Sequence, residues 1–170
     1  WSLGAMLALQ TAAEHPDLVD SRVLISGTAR MSGEGDYPGA DARALRAMRL
    51  RLSRDHKRVM ADFAALCASP DGGDQVAGSY LEEAGTFPLA ELADGLECLS
   101  SLDLRPQLGR IKAKAILLHG EDDGIIPLAS AEFLAARLDC ASLKVLPGRG
   151  HALPFTAARE IAACAREAVS

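Results

Sequence analysis

The sequence predicts an α/β fold: a parallel sheet interrupted by an all-helical insertion. Three observations predict it. Short apolar runs at Arg22-Val23-Leu24-Ile25-Ser26, Ala115-Ile116-Leu117-Leu118-His119 and Leu143-Lys144-Val145-Leu146 read as buried parallel strands. Helical patterns alternate with these runs, as in doubly wound sheets. Between about residues 30 and 110 no strand pattern occurs, and the periodicity is helical.

Composition supports one domain with a sizeable core. The chain has 170 residues, of which 49% are apolar and 24% charged. A formal net charge of −5 argues against nucleic acid as a partner, which calls for a basic footprint. No apolar run approaches the ~18 residues of a membrane span. Cys67, Cys98, Cys140 and Cys164 are scattered, with no Cys-x-x-Cys spacing. They read as reduced thiols of a cytoplasmic protein, and they offer no metal-ligand pattern.

The elements follow in order. Residues 3–14 form a helix that is apolar nearly all round, hence buried. His15-Pro16 ends it, because the residue before proline avoids the α region. After the first strand, residues 31–41 are rich in Gly, Ser, Asp and Pro and form a loop. Residues 41–68 read as one long helix, with Leu45, Met48, Leu52, Val59, Phe63 and Leu66 on one face. Arg43, Arg46, Arg51, Arg54, Lys57 and Arg58 fall on the other. Ser69-Pro70-Asp71-Gly72-Gly73 breaks the pattern, and helices near 74–84 and 88–99 follow. A helix at 129–138 separates the last two strands, and a closing helix spans 156–169. The expected organisation is a core segment at 1–30, a helical cap at 31–104 and a second core segment at 105–170.

Ligands of open parallel sheets bind outside the carboxyl ends of the strands. The chain offers Ser2, then Asp122 or Asp123, then His151 at such ends. Trp1-Ser2-Leu3-Gly4, followed by small helix formers, reads as the end of a Gly-x-Ser-x-Gly nucleophile elbow. The competing reading of Ser2 is a plain helix N-cap. Serine needs a histidine to take its proton, and the histidine needs a carboxylate to fix its tautomer and stabilise its charged form. His151 follows Gly150 and a strand, which favours it as that base over an ordinary loop histidine.

In this constellation the chain resembles the α/β-hydrolase family. Gly120-Glu121-Asp122-Asp123-Gly124-Ile125-Ile126-Pro127 matches that family's acid-loop motif, Gly-x-x-Asp-x-hydrophobic-hydrophobic-Pro. The match makes Asp123 the acid and leaves Asp122 as a neighbouring turn residue. A closer resemblance is to the pimeloyl-acyl-carrier-protein methyl ester carboxylesterases of biotin synthesis. It rests on Trp1–Gly4, His15-Pro16, the run Gly95-Leu96-Glu97-Cys98-Leu99 with Leu102-Asp103-Leu104-Arg105, and His151-Ala152.

The resemblance implies an α/β-hydrolase fold with an inserted α-helical cap. It implies a serine carboxylesterase with the triad Ser2, Asp123 and His151 and no cofactor. The Leu3 N–H is the implied oxyanion donor. Trp1, Leu3, His151 and the cap stretch Phe63-Ala64-Ala65-Leu66-Cys67 are the implied substrate contacts, and for the cap stretch plain helix packing is the competing reading. The substrate is an acyl ester, presented on acyl carrier protein. The basic cap face (Arg43, Arg46, Arg54, Lys57, Arg58) is then either a solvated helix face or a dock for that acidic carrier.

The family's Gly before Trp1, the strand preceding it and the loop that gives a second oxyanion donor do not occur in the sequence. The segment is therefore expected to be inactive or poorly soluble without that portion. Losing one oxyanion donor typically costs ~10²–10³ in rate. Other readings are a general carboxylesterase, lactonase or carbon–carbon bond hydrolase on the same scaffold, or a non-catalytic interaction module.

Overall fold

The computed structural model describes residues 1–169. Ser170, the end of the third expected segment, lies outside the described residues. The chain begins with helix α1 (Leu3–Glu14) and strand β1 (Ser21–Ile25). Four cap helices follow: α2 (Ala42–Leu52), α3 (His56–Ala68), α4 (Gly73–Ala84) and α5 (Leu89–Ser101). The second half holds β2 (Lys114–Gly120), α6 (Leu128–Arg137), β3 (Ala141–Leu146), the short α7 (Leu153–Thr156) and α8 (Ala158–Ala168).

Among the described residues the sheet has three strands, ordered β1-β2-β3, all parallel. Ile25 pairs with Leu118 and Gly120 with Leu146, so the carboxyl ends of all three strands lie along one edge. The central β2 is buried over six of its seven residues, which explains why its sequence is a continuous apolar run. Alternation sorts its side chains. Ala115 and Leu117 face α1 and α6, where Met6, Leu9 and Leu134 are fully buried. Ile116 and Leu118 face the opposite way, against Leu153 of α7, the linking Ala157, and Cys164 of α8. The result is helix, sheet, helix, with the cap helices set over the strand ends.

The single helix expected over 41–68 is two helices. The chain breaks at residues 53–55, and the Asp55 carboxylate caps α3 by accepting the Arg58 N–H at 3.1 Å. The apolar stripe stays in phase across the break, because Leu52 and Val59 pack in one cluster with Leu96 of α5. A helical stripe alone therefore could not reveal the corner. The closing helix expected at 156–169 is α8, which starts at Ala158, and the short α7 precedes it across Ala157.

Candidate active site

Ser2 stands at a forced corner. Its backbone has φ 52° and ψ −124°, a region that costs a non-glycine residue ~1–3 kcal/mol. The corner is fixed from both sides: the Ser2 N–H donates to the Ile25 carbonyl at 3.0 Å, and the Ser2 carbonyl accepts the Ala5 N–H at 3.0 Å. The side chain makes no cap bond to its own helix, so the N-cap reading fails. The hydroxyl is instead 3.1 Å from His151 Nε2.

His151 and Asp123 come from the loops after β3 and β2. His151 Nδ1 lies 2.8 Å from Asp123 Oδ2, and both residues are buried. An ionised carboxylate only accepts, so Nδ1 carries the proton and Nε2 is left free to accept from Ser2. Asp123 Oδ1 accepts the Ile125 and Ile126 N–H groups, each at 2.9 Å. Burial works against the charged form of Asp123. The His151 hydrogen bond and charge, the Ile126 amide and the nearby His119 outweigh it and hold the carboxyl below its ordinary range. Asp122 is exposed and makes none of these contacts.

Two glycines let the loops meet. A Cβ on Gly120 would overlap the carbonyl oxygens of Arg149 and Gly150. A Cβ on Gly150 would overlap the Ser69 carbonyl oxygen in the turn between α3 and α4. That turn also supplies Asp71, which sequence reasoning missed. Asp71 Oδ1 accepts the Gly150 N–H at 2.9 Å, and Oδ2 accepts from Arg149 at 3.0 Å. The Ala152 N–H donates to the Cys67 carbonyl at 3.1 Å. The cap thus clamps the histidine loop from outside the sheet. Gly150→Ala is expected to cost about 1–3 kcal/mol in denaturant unfolding, as overpacking against rigid backbone does. It should also lower turnover by displacing His151.

Trp1 holds the histidine from the other side. Its indole Nε1 donates to the His151 carbonyl at 2.8 Å, and its ring centroid is 5.4 Å from the imidazole. His119, at the end of β2, is a second buried imidazole. Its Nε2 is 2.9 Å from the Ile126 carbonyl and 3.6 Å from Asp123 Oδ2, and its Nδ1 is buried without a partner. The proton therefore sits on Nε2. Charging Nδ1 would bury an N–H with no acceptor, and burial pushes this histidine's pKa down.

A depressed folded pKa gives stability that is complete above the unfolded value and is lost as pH falls. For His119 the loss begins near pH 6.5, well above the window in which Asp123 titrates. Unfolding free energy should decline below pH ~6.5 with a slope of up to ~1.4 kcal/mol per pH unit for this one proton. Urea titrations at pH 7.5 and 5 would measure it, and His119→Gln should remove that part of the slope.

Ser2 and His151 open into a cavity of about 390 Å³ between the strand ends and the cap. Trp1, Leu3, Phe63 and Cys67 line it, as expected, together with Tyr80 and the α5 side chains Leu92 and Leu96. The rest of the expected cap stretch is not brought there. Ala64 is fully buried in packing, Ala65 is exposed, and Leu66 faces a second groove. The reason is helical: residues 63 and 67 share a face, and the three between them rotate away. Burial, then the charge of Asp123, pushes the Cys67 thiol up to about 12, so it is a neutral wall group. Among the described residues no cluster of three or more His, Cys, Asp or Glu side chains is placed to hold a metal ion.

This geometry agrees with the comparisons. The model of the alpha/beta hydrolase family matches residues 1–164. The chain belongs to the alpha/beta hydrolase family. Within it, the chain is 34% identical over 173 residues to a pimeloyl-[acyl-carrier protein] methyl ester esterase of Neisseria meningitidis serogroup B, covering 99% of the chain and 67% of that protein. The esterase of the same description from Nitrosomonas europaea is 31% identical over 160 residues, covering 91% of the chain and 63% of that protein. The chain thus spans somewhat under two thirds to two thirds of the length of these relatives. The fold of an esterase from Exiguobacterium antarcticum superposes with a TM-score of 0.89 at 19% identity, covering 100% of the chain and 65% of that structure. An enol-lactonase from Burkholderia xenovorans gives 0.85 at 18% identity, covering 99% and 63%. At these identities the hydrolase fold is shared, while the chemistry of the neighbours differs.

Proposed function

We propose that the chain carries the catalytic centre of a serine carboxylesterase that hydrolyses the methyl ester of an acyl chain held on acyl carrier protein. The observation that carries the reaction class is the continuous bond series from Ser2 through His151 to Asp123. His151 takes the Ser2 proton as the hydroxyl attacks the ester carbonyl. Leu3 is the first residue of α1, and its amide has no intrahelical acceptor, so it is free to meet the oxyanion. His151 then returns the proton to the leaving alcohol. Water, deprotonated by the same imidazole, releases the acid from the acyl-enzyme. Phe63 and Cys67 present an apolar wall to the acyl group.

The substrate reading rests on the relatives' descriptions and on charge. Arg43, Arg46, Arg54 and Lys57 are exposed on the cap, and among the described residues none has an ion-pair partner within 4.0 Å. Arg58 is engaged by Asp62 at 2.9 Å. Exposed cationic side chains on α2, the turn after it and α3 of an acidic protein suit an acidic carrier, through steering and orientation. No helix among the described residues is long and apolar enough to cross a membrane. The four cysteines are free, which supports a cytoplasmic setting.

The test compares dicarboxylate methyl esters, free and carrier-bound. Turnover is read against the unaltered protein. Reversing Arg43, Arg46 and Arg54 to Glu should raise KM for the carrier-bound ester about tenfold or more at low salt and leave the free ester unchanged. The effect should shrink as salt rises. A preference for short acetyl esters regardless of carrier would overturn the substrate reading.

A further inference from the structure

The catalytic cavity has a neighbour. A second cavity of about 480 Å³ lies between α2, α3 and the acid loop. Met31, Leu45, Met48, Phe63 and Ile125 line both cavities. The partition between them is therefore one side chain thick. It carries no polar side chain, so a charged or strongly polar group would cross it only at a desolvation cost. Ile125 is fixed, because its N–H is bound to Asp123. Met31 and Met48 are unbranched, with three rotatable side-chain bonds each, and are the adaptable members of the wall.

The far cavity is also apolar in its interior. Ala44, Ala47, Val59, Leu66 and Pro127 belong to it and not to the catalytic cavity. The two alanines leave room where larger residues would fill the groove. Its charged members are Asp41, Arg51 and Asp62, all exposed at the rim. Arg51 and Asp62 are bound to each other at 3.2 Å, and Asp41 caps α2 by accepting the Arg43 N–H at 2.8 Å. These bonds leave the apolar floor open.

We propose that this groove is a second subsite for the acyl group: an unbranched aliphatic chain esterified at the Ser2 end passes Met31 and Met48 and lays its distal methylenes against Ala44, Ala47 and Leu66. The assignment rests on the serine-ester reading for which end of the substrate sits at Ser2. It goes beyond that reading in giving the enzyme two acyl chambers in series, each within the size range of ligand pockets. It also gives a role to Leu66, an exposed apolar residue of α3 that is absent from the catalytic cavity.

The experiment measures binding, so that it does not depend on turnover. Linear fatty-acid methyl esters from C4 to C14 are titrated against Ser2→Ala protein and against the same protein carrying Ala44→Trp or Ala47→Trp. Both alanines are exposed, so the indole enters the groove without disturbing the core. In the parent, affinity should rise about 3- to 4-fold per methylene through the long esters. In the tryptophan variants the rise should stop once the first chamber is full, with a tenfold or greater loss for the longest esters and none for C4.

A C12 ester bearing a terminal diazirine gives a second reading without a groove substitution. Photocrosslinks to Ala44, Ala47 or Leu66 support the assignment. Coincident affinity series in parent and variants, or crosslinks confined to Leu92 and Leu96, overturn it. Failure of the ester reading has a separate signature, the absence of fluorophosphonate labelling at Ser2, and that result leaves the binding series interpretable.

Discussion

Ser2→Ala lowers kcat by about 10⁴–10⁶, the loss expected when the nucleophile of a serine–histidine–aspartate unit is removed. The size follows from how much of the local structure serves that one hydroxyl. The corner at φ 52° is held by the Ile25 carbonyl below and the Ala5 amide above, and the side chain spends its one close polar contact on His151. Alanine fits the corner no worse than serine, so the fold should survive. The thermal midpoint is expected to stay within a few degrees while hydrolysis of any ester disappears. The same substitution should leave KM, or binding of an inert ester analogue, nearly unchanged, because the cavity walls do not move.

Asp123→Asn lowers kcat by about 10⁴, by imposing the wrong tautomer on His151. The direction can be derived from the bonds. Asp123 Oδ1 accepts two backbone N–H groups, from Ile125 and Ile126, while Oδ2 accepts the His151 Nδ1 proton. Asparagine has only one oxygen. Two amide donors outbid one imidazole, so the oxygen turns to the loop and the NH₂ turns to His151. Nδ1 must then accept, the imidazole proton moves to Nε2, and Nε2 can no longer take a proton from Ser2. A steady-state kcat measurement checks this, together with the downfield Nδ1 proton resonance of the unaltered protein. That resonance should vanish in the variant. Retention of both would show that Asp123 does not set the tautomer.

These effects were legible in the sequence because the chemistry is concentrated in short motifs at strand ends. Gly120 to Pro127 offers two adjacent acids, and the resemblance to the family motif selects Asp123, while Gly150-His151 follows an apolar strand. The sheet was legible for the same reason: β2 is buried on both faces, so its apolar run is continuous. What the sequence hid is tertiary. Asp71 sits in a turn that reads as a plain helix breaker, and its clamp on Gly150 appears only when the cap folds back over residue 150. His119 reads as the last residue of a strand, and nothing local shows that its Nε2 reaches Ile126. The corner at residues 53–55 was masked because the apolar stripe keeps phase on both sides. The helix N-cap Asp55 was its one local signal. The family resemblance implies Phe63 to Cys67 as one stretch, whereas the helix turns only Phe63 and Cys67 of it to the catalytic cavity.

The central claim is that Ser2 is an activated nucleophile. Its most direct test is reaction of the protein with a fluorophosphonate ester, followed by mass spectrometry of the tryptic peptides. One equivalent of adduct on Ser2, abolished by Ser2→Ala and strongly slowed by Asp123→Asn, is the result these bonds require. No adduct in the folded protein, or an adduct on a serine other than Ser2, would contradict it.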